Sequence, residues 1–394
     1  MTREEWLTAA REGQSERDKY LLDIASKTFY RNIVTTDNSK YTVFPWGNRR
    51  AITPSANIYD GIWNWDTAFH IMALSRWDTE LAEEQCRIFF DFQLENGMYP
   101  DCIATSGLVV DRFGKPPVLP WSFCILYKRT KNRDFLERAY QSCQKNLEFW
   151  EKYRRREGEV LYRYDTTTQT EPQRYEDIRF ESGWDTSVRW DITADLYPID
   201  LNCYMVTFYD SMSFMAKELG LDPTVYEQNR QRLVDEINSV MWDDKTKCYY
   251  DVSVYSKKPT YVMSVASFMP LYIGIADSER ARYMHELSTD KTKFYPMLPT
   301  VSYDHPAYEA GNYWRGPCWL NAAYFALKGL CSYGYTETAY EIREVILNAV
   351  AGGTFMWDNT DAIFEYYNST DGTPGGPPYF TWSCAFVIEL ILNL

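Results

Sequence analysis

Histidine is nearly missing from this chain: His70, His285 and His305 are the only three in 394 residues. Chemistry that passes a proton between two imidazoles therefore has little to draw on. No G-x-x-x-x-G-K-[ST], no G-x-G-x-x-G ahead of a helix and no H-E-x-x-H occurs, which leaves nucleotide, dinucleotide and zincin folds without a signature. The nine cysteines are odd in number, scattered and free of C-x-x-C spacing. Neither a disulfide framework nor a zinc site is indicated, and buried reduced thiols are expected. Positive charge is scarce as well, with 41 Lys and Arg against 55 Asp and Glu and a net charge of −14. So acidic a surface repels phosphate backbones and anionic lipids, which excludes nucleic acid and membrane partners. Long hydrophobic runs are lacking: the most apolar stretch, Tyr379 to Leu394, is shorter than the roughly 20 residues that span a bilayer and contains Glu389. It reads as a buried terminal helix. Met1 to Trp6 carry charge and none of the apolar core of a secretory signal, so a cytoplasmic location is expected. No Ser/Gly-rich linker interrupts the chain, and residues 1–394 read as one domain.

What the chain does have is apolar and aromatic surface. Hydrophobic residues make up 45% and charged residues 24%, the balance of a globular protein with a large core. Aromatics reach 17%, with 32 Tyr and 14 Trp. A flat apolar face with a polar edge suits a ligand that is apolar on one side and carries hydroxyls on the other, as a sugar does, although a large core also uses such residues.

Hydrophobic period predicts twelve helical segments, near 3–34, 65–75, 79–94, 118–130, 132–156, 200–219, 222–241, 262–271, 276–288, 316–333, 335–349 and 380–393. Between Leu81 and Leu94, for example, Leu81, Cys86, Phe89, Phe90 and Phe92 form an apolar stripe among Glu83, Glu84, Gln85 and Arg87. Val160 to Tyr164 and Cys248 to Val254 read as small hairpins inside loops. Short turns such as Arg76-Trp77-Asp78, Thr130-Lys131-Asn132, Gly220-Leu221-Asp222 and Tyr333-Gly334-Tyr335 join helices in antiparallel pairs. Long connections near 35–64, 95–117, 157–199, 242–261, 289–315 and 350–379 alternate with them. That alternation describes an all-α ring of six helical hairpins, an (α/α)6 barrel whose long links meet at one face. Loops of such length are uncommon unless functional, so that face is the expected site.

Acidic and aromatic residues concentrate in those links: Trp63-Asn64-Trp65-Asp66, Glu181-Ser182-Gly183-Trp184-Asp185 running on to Arg189-Trp190-Asp191, Asn312-Tyr313-Trp314-Arg315 to Trp319, and Phe364-Glu365-Tyr366-Tyr367-Asn368 leading to Trp382. The strings ESGWDTS, NYWRGPCW, IFEYYN and YFTWS, in that order, resemble the catalytic barrel of glycoside hydrolase family 63 and its mannosylglycerate and glucosylglycerate hydrolase relatives, with trehalases more distant. The similarity runs from about Trp63 to Trp382. It implies an (α/α)6 barrel and inverting hydrolysis of α-glycosides, with Asp185 as general acid and Glu365 as general base. The chain is too short for the extra β-domain of larger relatives, which points to small substrates.

The residues themselves support a pair of carboxyls in opposite protonation states, one to protonate the departing oxygen and one to activate water. Trp184 offers Asp185 an apolar wall that disfavours charge, whereas Tyr366, Tyr367 and Asn368 offer Glu365 donors that favour it. The structural alternatives are a helix cap or an Arg189 ion pair for Asp185 and an Arg315 ion pair for Glu365, and Glu181 is a rival acid. Trp63, Asp66, Trp314, Arg315 and Trp382 are the first candidates for holding the sugar, joined by Trp65, Trp184, Trp319 and Tyr367; each Trp could equally pack between barrel helices. Arg189 and Arg315 could bind a carboxylate aglycone such as glycerate, or orient Glu181, Asp185 or Glu365. Lys115-Pro116-Pro117 and Arg49-Arg50 read as solvated loop surface. The expected function is an inverting α-glycosidase acting on a small α-glucoside or α-mannoside, with a carbohydrate as its partner and no metal or organic cofactor. The alternatives are a noncatalytic carbohydrate-binding protein, or a sugar phosphorylase or epimerase on the same barrel. Glu365 argues against a phosphorylase, and three histidines against an epimerase.

Overall fold

A computed structural model describes residues 1–164, 175–353 and 361–394. Thr2 and Glu5 form a capping box that opens α1 (Arg3–Ala10). The single helix expected over 3–34 breaks just beyond: Gly13 takes φ +75°, and Ser15 Oγ accepts the Asp18 N–H to start α2 (Glu16–Arg31) afresh. Helices α3 (Asn64–Leu74), α4 (Thr79–Asp91), α5 (Leu119–Thr130), α6 (Arg133–Tyr153), α7 (Tyr175–Ser182), α8 (Ile199–Leu219), α9 (Thr224–Val240), α10 (Met269–Tyr272), α11 (Ser278–Thr289), α12 (Leu320–Ser332), α13 (Thr336–Gly353) and α14 (Thr381–Leu392) follow. The segment expected to be helical over 262–271 is only a 3-10 turn, Val265–Phe268, and the single turn α10, since Pro270 and Gly274 limit regular extension. Helix α7 was not anticipated inside the 157–199 link, and α12 starts at Leu320 because Cys318 bridges to Tyr367 in extended form.

Burial explains the two rings. Every residue of α3 is buried, as is α14 from Thr381 to Ile391. These helices pack in a closed inner circle in which α3, α5, α8, α10 with its preceding turn, α12 and α14 each touch the next, and α14 returns to α3. Helices α2, α4, α6, α9 and α13 pack outside, and α11 joins α13 through the His285 Nε2 and Thr338 Oγ1 hydrogen bond at 2.9 Å. An outer helix such as α6 buries one stripe (Phe135, Leu136, Ala139, Tyr140, Cys143, Leu147, Trp150) and keeps a solvated face. Each of the larger apolar side chains so buried contributes roughly 1.5–3 kcal/mol, which favours the sequence's alternation of fully apolar and one-sided helices as inner and outer. The architecture is an (α/α)6 barrel. Glu389 on inner α14 is accommodated by Arg76 at 2.5 Å.

Every inner-to-outer connection is short and every outer-to-inner connection is long, so the long links gather at the N-terminal ends of the inner helices. Residues 165–174 and 354–360, in two of these links, lie outside the described residues. The links carry small antiparallel sheets. Strands β1 (Gly61–Trp63), β2 (Cys102–Ala104) and β3 (Val109–Val110) form one; β4 (Leu196–Tyr197) pairs with β7 (Val252–Ser253), β5 (Trp242–Asp243) with β6 (Cys248–Tyr249), and β8 (Phe364–Tyr367) with β9 (Pro374–Pro378). The hairpin expected over 248–254 is thus split between two partners, and that over 160–164 is reduced to an Arg155–Tyr162 bridge. All nine cysteines are free thiols, and eight of them are buried. Among the described residues no helix is long and apolar enough to cross a membrane.

Candidate active site

A cavity of about 120 Å³ opens at the link face. Trp63, Trp65 and Asp66 reach it from the start of α3, Asp185 from the α6–α8 link, Tyr313, Trp314 and Trp319 from the approach to α12, Glu365 from β8, and Trp382 from the first turn of α14. The β1–β2 pairing sets Trp63 opposite Cys102, which fixes where α3 begins and puts Asp66 in its first turn. Aromatic stacking builds the wall: Trp314 lies on Trp319 at 3.7 Å and 10°, and Trp382 meets Trp65 edge-on at 4.9 Å. Two glycines make room for side chains of the cavity, one an indole and one a carboxyl. A Cβ on Gly183, at φ +75°, would lie 2.1 Å from the Trp65 ring, and one on Gly376, at φ +72°, would lie 2.2 Å from Glu365 Oε2.

Electrostatically the cavity is a crowd of carboxyls in a dry setting. Burial, with the charges of Asp66 and Asp185 adding to it, pushes Glu365 up to about 8. Burial likewise pushes Asp66 to about 7 and Asp101, behind it, to about 6, with Lys115 opposing both. Asp185 is also raised by burial, against the pull of Lys115 and a hydrogen bond from Tyr313 Oη at 3.5 Å. Asp66 Oδ1, Asp185 Oδ1 and the indole nitrogens of Trp65 and Trp382 have no hydrogen-bond partner among the described residues. Such buried groups cost about 1–3 kcal/mol each unless water or a ligand hydroxyl satisfies them. Among the described residues, no group of three or more His, Cys, Asp or Glu is arranged to hold a metal ion.

Several expected site residues lie elsewhere. Arg189 is fully buried between Asp200 (2.6 Å) and Asp251 (2.8 Å), so both prongs of its guanidinium are committed away from the cavity. Arg315 pairs with Asp191 at 2.7 Å and Glu309 at 3.4 Å and does not line the cavity. Neither arginine pairs with Asp185 or Glu365. Glu181, the rival acid, is fully buried on Arg154 at 2.7 Å. Trp184 stands behind the wall, 4.7 Å from Trp314, and Tyr367 is buried with its hydroxyl taking the Phe364 N–H. The donors expected from Tyr366, Tyr367 and Asn368 do not act on Glu365, which is governed by burial and by the charges of Asp66 and Asp185 and holds its proton more tightly than that reading implied. Conversely, Lys115 is not solvated surface but lines the cavity with its side chain 12% exposed. Tyr59, Tyr313, Pro54, Gly183 and Phe380 also line it without having been singled out. Tyr313 lies within the string NYWRGPCW and Tyr59 four residues before Trp63, so position in or near a site segment was their only signal. None of the three histidines lines the cavity; His70, for instance, bonds Thr381 Oγ1 inside the barrel at 2.6 Å.

Comparison with known proteins supplies the family. The model of the mannosylglycerate hydrolase MGH1-like glycoside hydrolase domain matches residues 59–383. The mannosylglycerate hydrolase of Rubrobacter radiotolerans is 23% identical over 438 residues, covering 86% of this chain and 92% of the relative. The GH63 mannosylglycerate hydrolase of Thermus thermophilus, solved with glucose, superposes with a TM-score of 0.75 at 21% identity over 93% of this chain and 99% of its own. Neutral trehalase Nth1 of Saccharomyces cerevisiae gives 0.72 at 17% identity over 94% and 80%. The structural likenesses establish the barrel, and the family match spans all but one of the residues that line the cavity. The chain is a glycoside hydrolase and belongs to the mannosylglycerate hydrolase MGH1-like family.

Proposed function

We propose that the protein is an inverting α-glycosidase for a small α-glucoside or α-mannoside, of the disaccharide or glycosylglycerate type, with Asp185 as general acid and Glu365 as general base. The observation that carries this reading is that both carboxyls border one Trp-walled cavity, with Asp66 beside them. Asp185, whose carboxyl is pushed toward its protonated form by burial, gives its proton to the glycosidic oxygen as the bond to the anomeric carbon breaks. Glu365, once ionised, takes a proton from water attacking the opposite face, so the sugar leaves as the β-anomer. Asp66 accepts sugar hydroxyls, and Trp63, Trp65, Trp314, Trp319 and Trp382 cover the apolar side of the ring. Relatives named mannosylglycerate hydrolases, one of them solved with Tris and D-glycerate, favour a glycosylglycerate among the candidates. Recognition of its carboxylate does not fall to Arg189, which is committed to two aspartates.

A screen of α-linked disaccharides and glycosylglycerates for released sugar identifies the substrate. On it, Asp185→Asn and Glu365→Gln each lower kcat by at least about 10²-fold with the fold intact. Proton NMR of the first turnover shows the β-anomer. Near-normal turnover in either folded variant refutes the role assigned to that carboxyl, and an initial α-anomer refutes inversion.

A further inference from the structure

We propose that Lys115 is a positioning residue, the fixed counter-charge of the cavity, whose ammonium lets Asp66 meet a sugar hydroxyl as a carboxylate. The sugar itself rests on the glycosidase reading above; the electrostatic role does not.

Lys115 is the only Lys, Arg or His among the described residues lining the cavity. Its place is determined from several sides. Lys115 Nζ donates to the Phe180 carbonyl and lies 3.5 Å from Asp101 Oδ1. The Asp101 carbonyl in turn accepts the Asn64 N–H at 2.9 Å, which ties that partner to the start of the helix carrying Asp66. Glu181, next to Phe180, is clamped by fully buried Arg154 and also accepts the Gly114 N–H at 3.3 Å, so one buried ion pair pins both the residue before Lys115 and the segment its ammonium binds. Pro116 and Pro117 then restrict the backbone leaving it.

The groups that act on Asp66, or are acted on by it, come from every neighbouring segment: the Asp101, Asp185 and Glu365 carboxyls, the Tyr59 and Tyr313 phenols, the Cys102 thiol, and Lys115 as the leading cation among the described residues. Lys115 thus acts on Asp66, Asp101 and Asp185, with the Arg179 guanidinium adding its pull on Asp185. Burial and like charge drive Asp66 toward its protonated form, and Lys115 is the leading influence in the other direction. The charge state decides the contact: a carboxylate accepts two adjacent hydroxyl protons, whereas a protonated carboxyl must offer one of its oxygens as a donor.

The test follows the aspartate side-chain carbons of selectively ¹³C-labelled protein by NMR across pH, with Asp66→Asn to assign the Asp66 signal, in wild type, Lys115→Met and Lys115→Arg. The expected result is an Asp66 midpoint at least about one pH unit higher in Lys115→Met and close to wild type in Lys115→Arg. An unmoved midpoint in Lys115→Met, or equal movement in both variants, overturns the proposal. Lys115→Gln takes the place of Lys115→Met if circular dichroism shows that the latter does not fold. On the substrate found by the screen, Lys115→Met raises KM by about tenfold below the wild-type midpoint while kcat changes little; a loss confined to kcat overturns the proposal. The titration needs no turnover, so failure to hydrolyse any glycoside refutes the glycosidase reading and leaves the role of Lys115 to be decided by NMR.

Discussion

At the scale of single residues, Glu365 couples function to stability. A carboxyl whose folded pKa lies above its unfolded value holds its proton more tightly when folded. Its contribution to folding is fully present below the unfolded value and is lost as pH rises through the folded one. For Glu365 that window runs from 4.5 to about 8. Glu365→Gln, which cannot ionise, should therefore gain stability over wild type as pH rises through the window, by on the order of 1–3 kcal/mol, with little difference below it. Thermal melts of both proteins across pH check this; a difference independent of pH counts against a buried, protonated Glu365. Catalysis runs the other way, since the base must be ionised: kcat/KM should fall on the acidic side, and that limb should disappear in Glu365→Gln. Its midpoint belongs to the coupled group of Asp66, Asp185 and Glu365 rather than to one residue. Arg189 makes a contrasting case. Removing it strands Asp200 and Asp251 in the interior, so Arg189→Met should destabilise by about 3–5 kcal/mol, read by urea denaturation, without selectively weakening turnover of a glycosylglycerate.

At the scale of elements, the β8–β9 hairpin is what aims Glu365 into the cavity. Gly376 on β9 adopts φ +72° and lies so close to the carboxyl that a methyl group there would collide with Oε2. Gly376→Ala should lower kcat by at least about tenfold, because a displacement near 1 Å at a catalytic group costs that much or more. KM should change less than kcat and the melting temperature should fall only modestly. A large loss of stability with normal specific activity would show that the hairpin serves the fold rather than the carboxyl. Neither strand was anticipated, although IFEYYN was read as a site string. With Gly and Pro at every position, Pro374–Pro378 has no strand signal of its own and pairs only because β8 lies beside it. The break between α1 and α2 had a readable cause in Gly13 and Ser15, and was missed because the apolar stripe continues across it.

At the scale of the molecule, six long links share one end of the barrel, and among the described residues five of them, all but the 241–268 link, line one small cavity there. A cavity near 120 Å³, walled by indoles, is small beside the roughly 300–1,000 Å³ usual for ligand pockets. The kcat/KM for an α-disaccharide should therefore exceed that for its longer homologues, measured at equal concentration of non-reducing ends. Steady improvement with chain length would mean that the cavity continues as an open groove.

The amino-acid sequence by itself determined the alternation of short and long links, the contrast between apolar and one-sided helices, and the strings that bring Asp66, Asp185, Glu365 and five of the Trp side chains to one face. Those features are local, because helix period, turn chemistry and link length depend on neighbours a few residues away. What only the tertiary structure decided is where each charge is balanced. Lys115 reads as loop surface until Phe180, 65 positions away, accepts its ammonium. Arg189 reads as a ligand residue until Asp251, 62 positions away, takes its guanidinium. Glu365 reads as ionised until packing removes water and sets the charges of Asp66 and Asp185 against it. Desolvation and ion pairing depend on which distant segments close over a group, and spacing along the chain does not encode that.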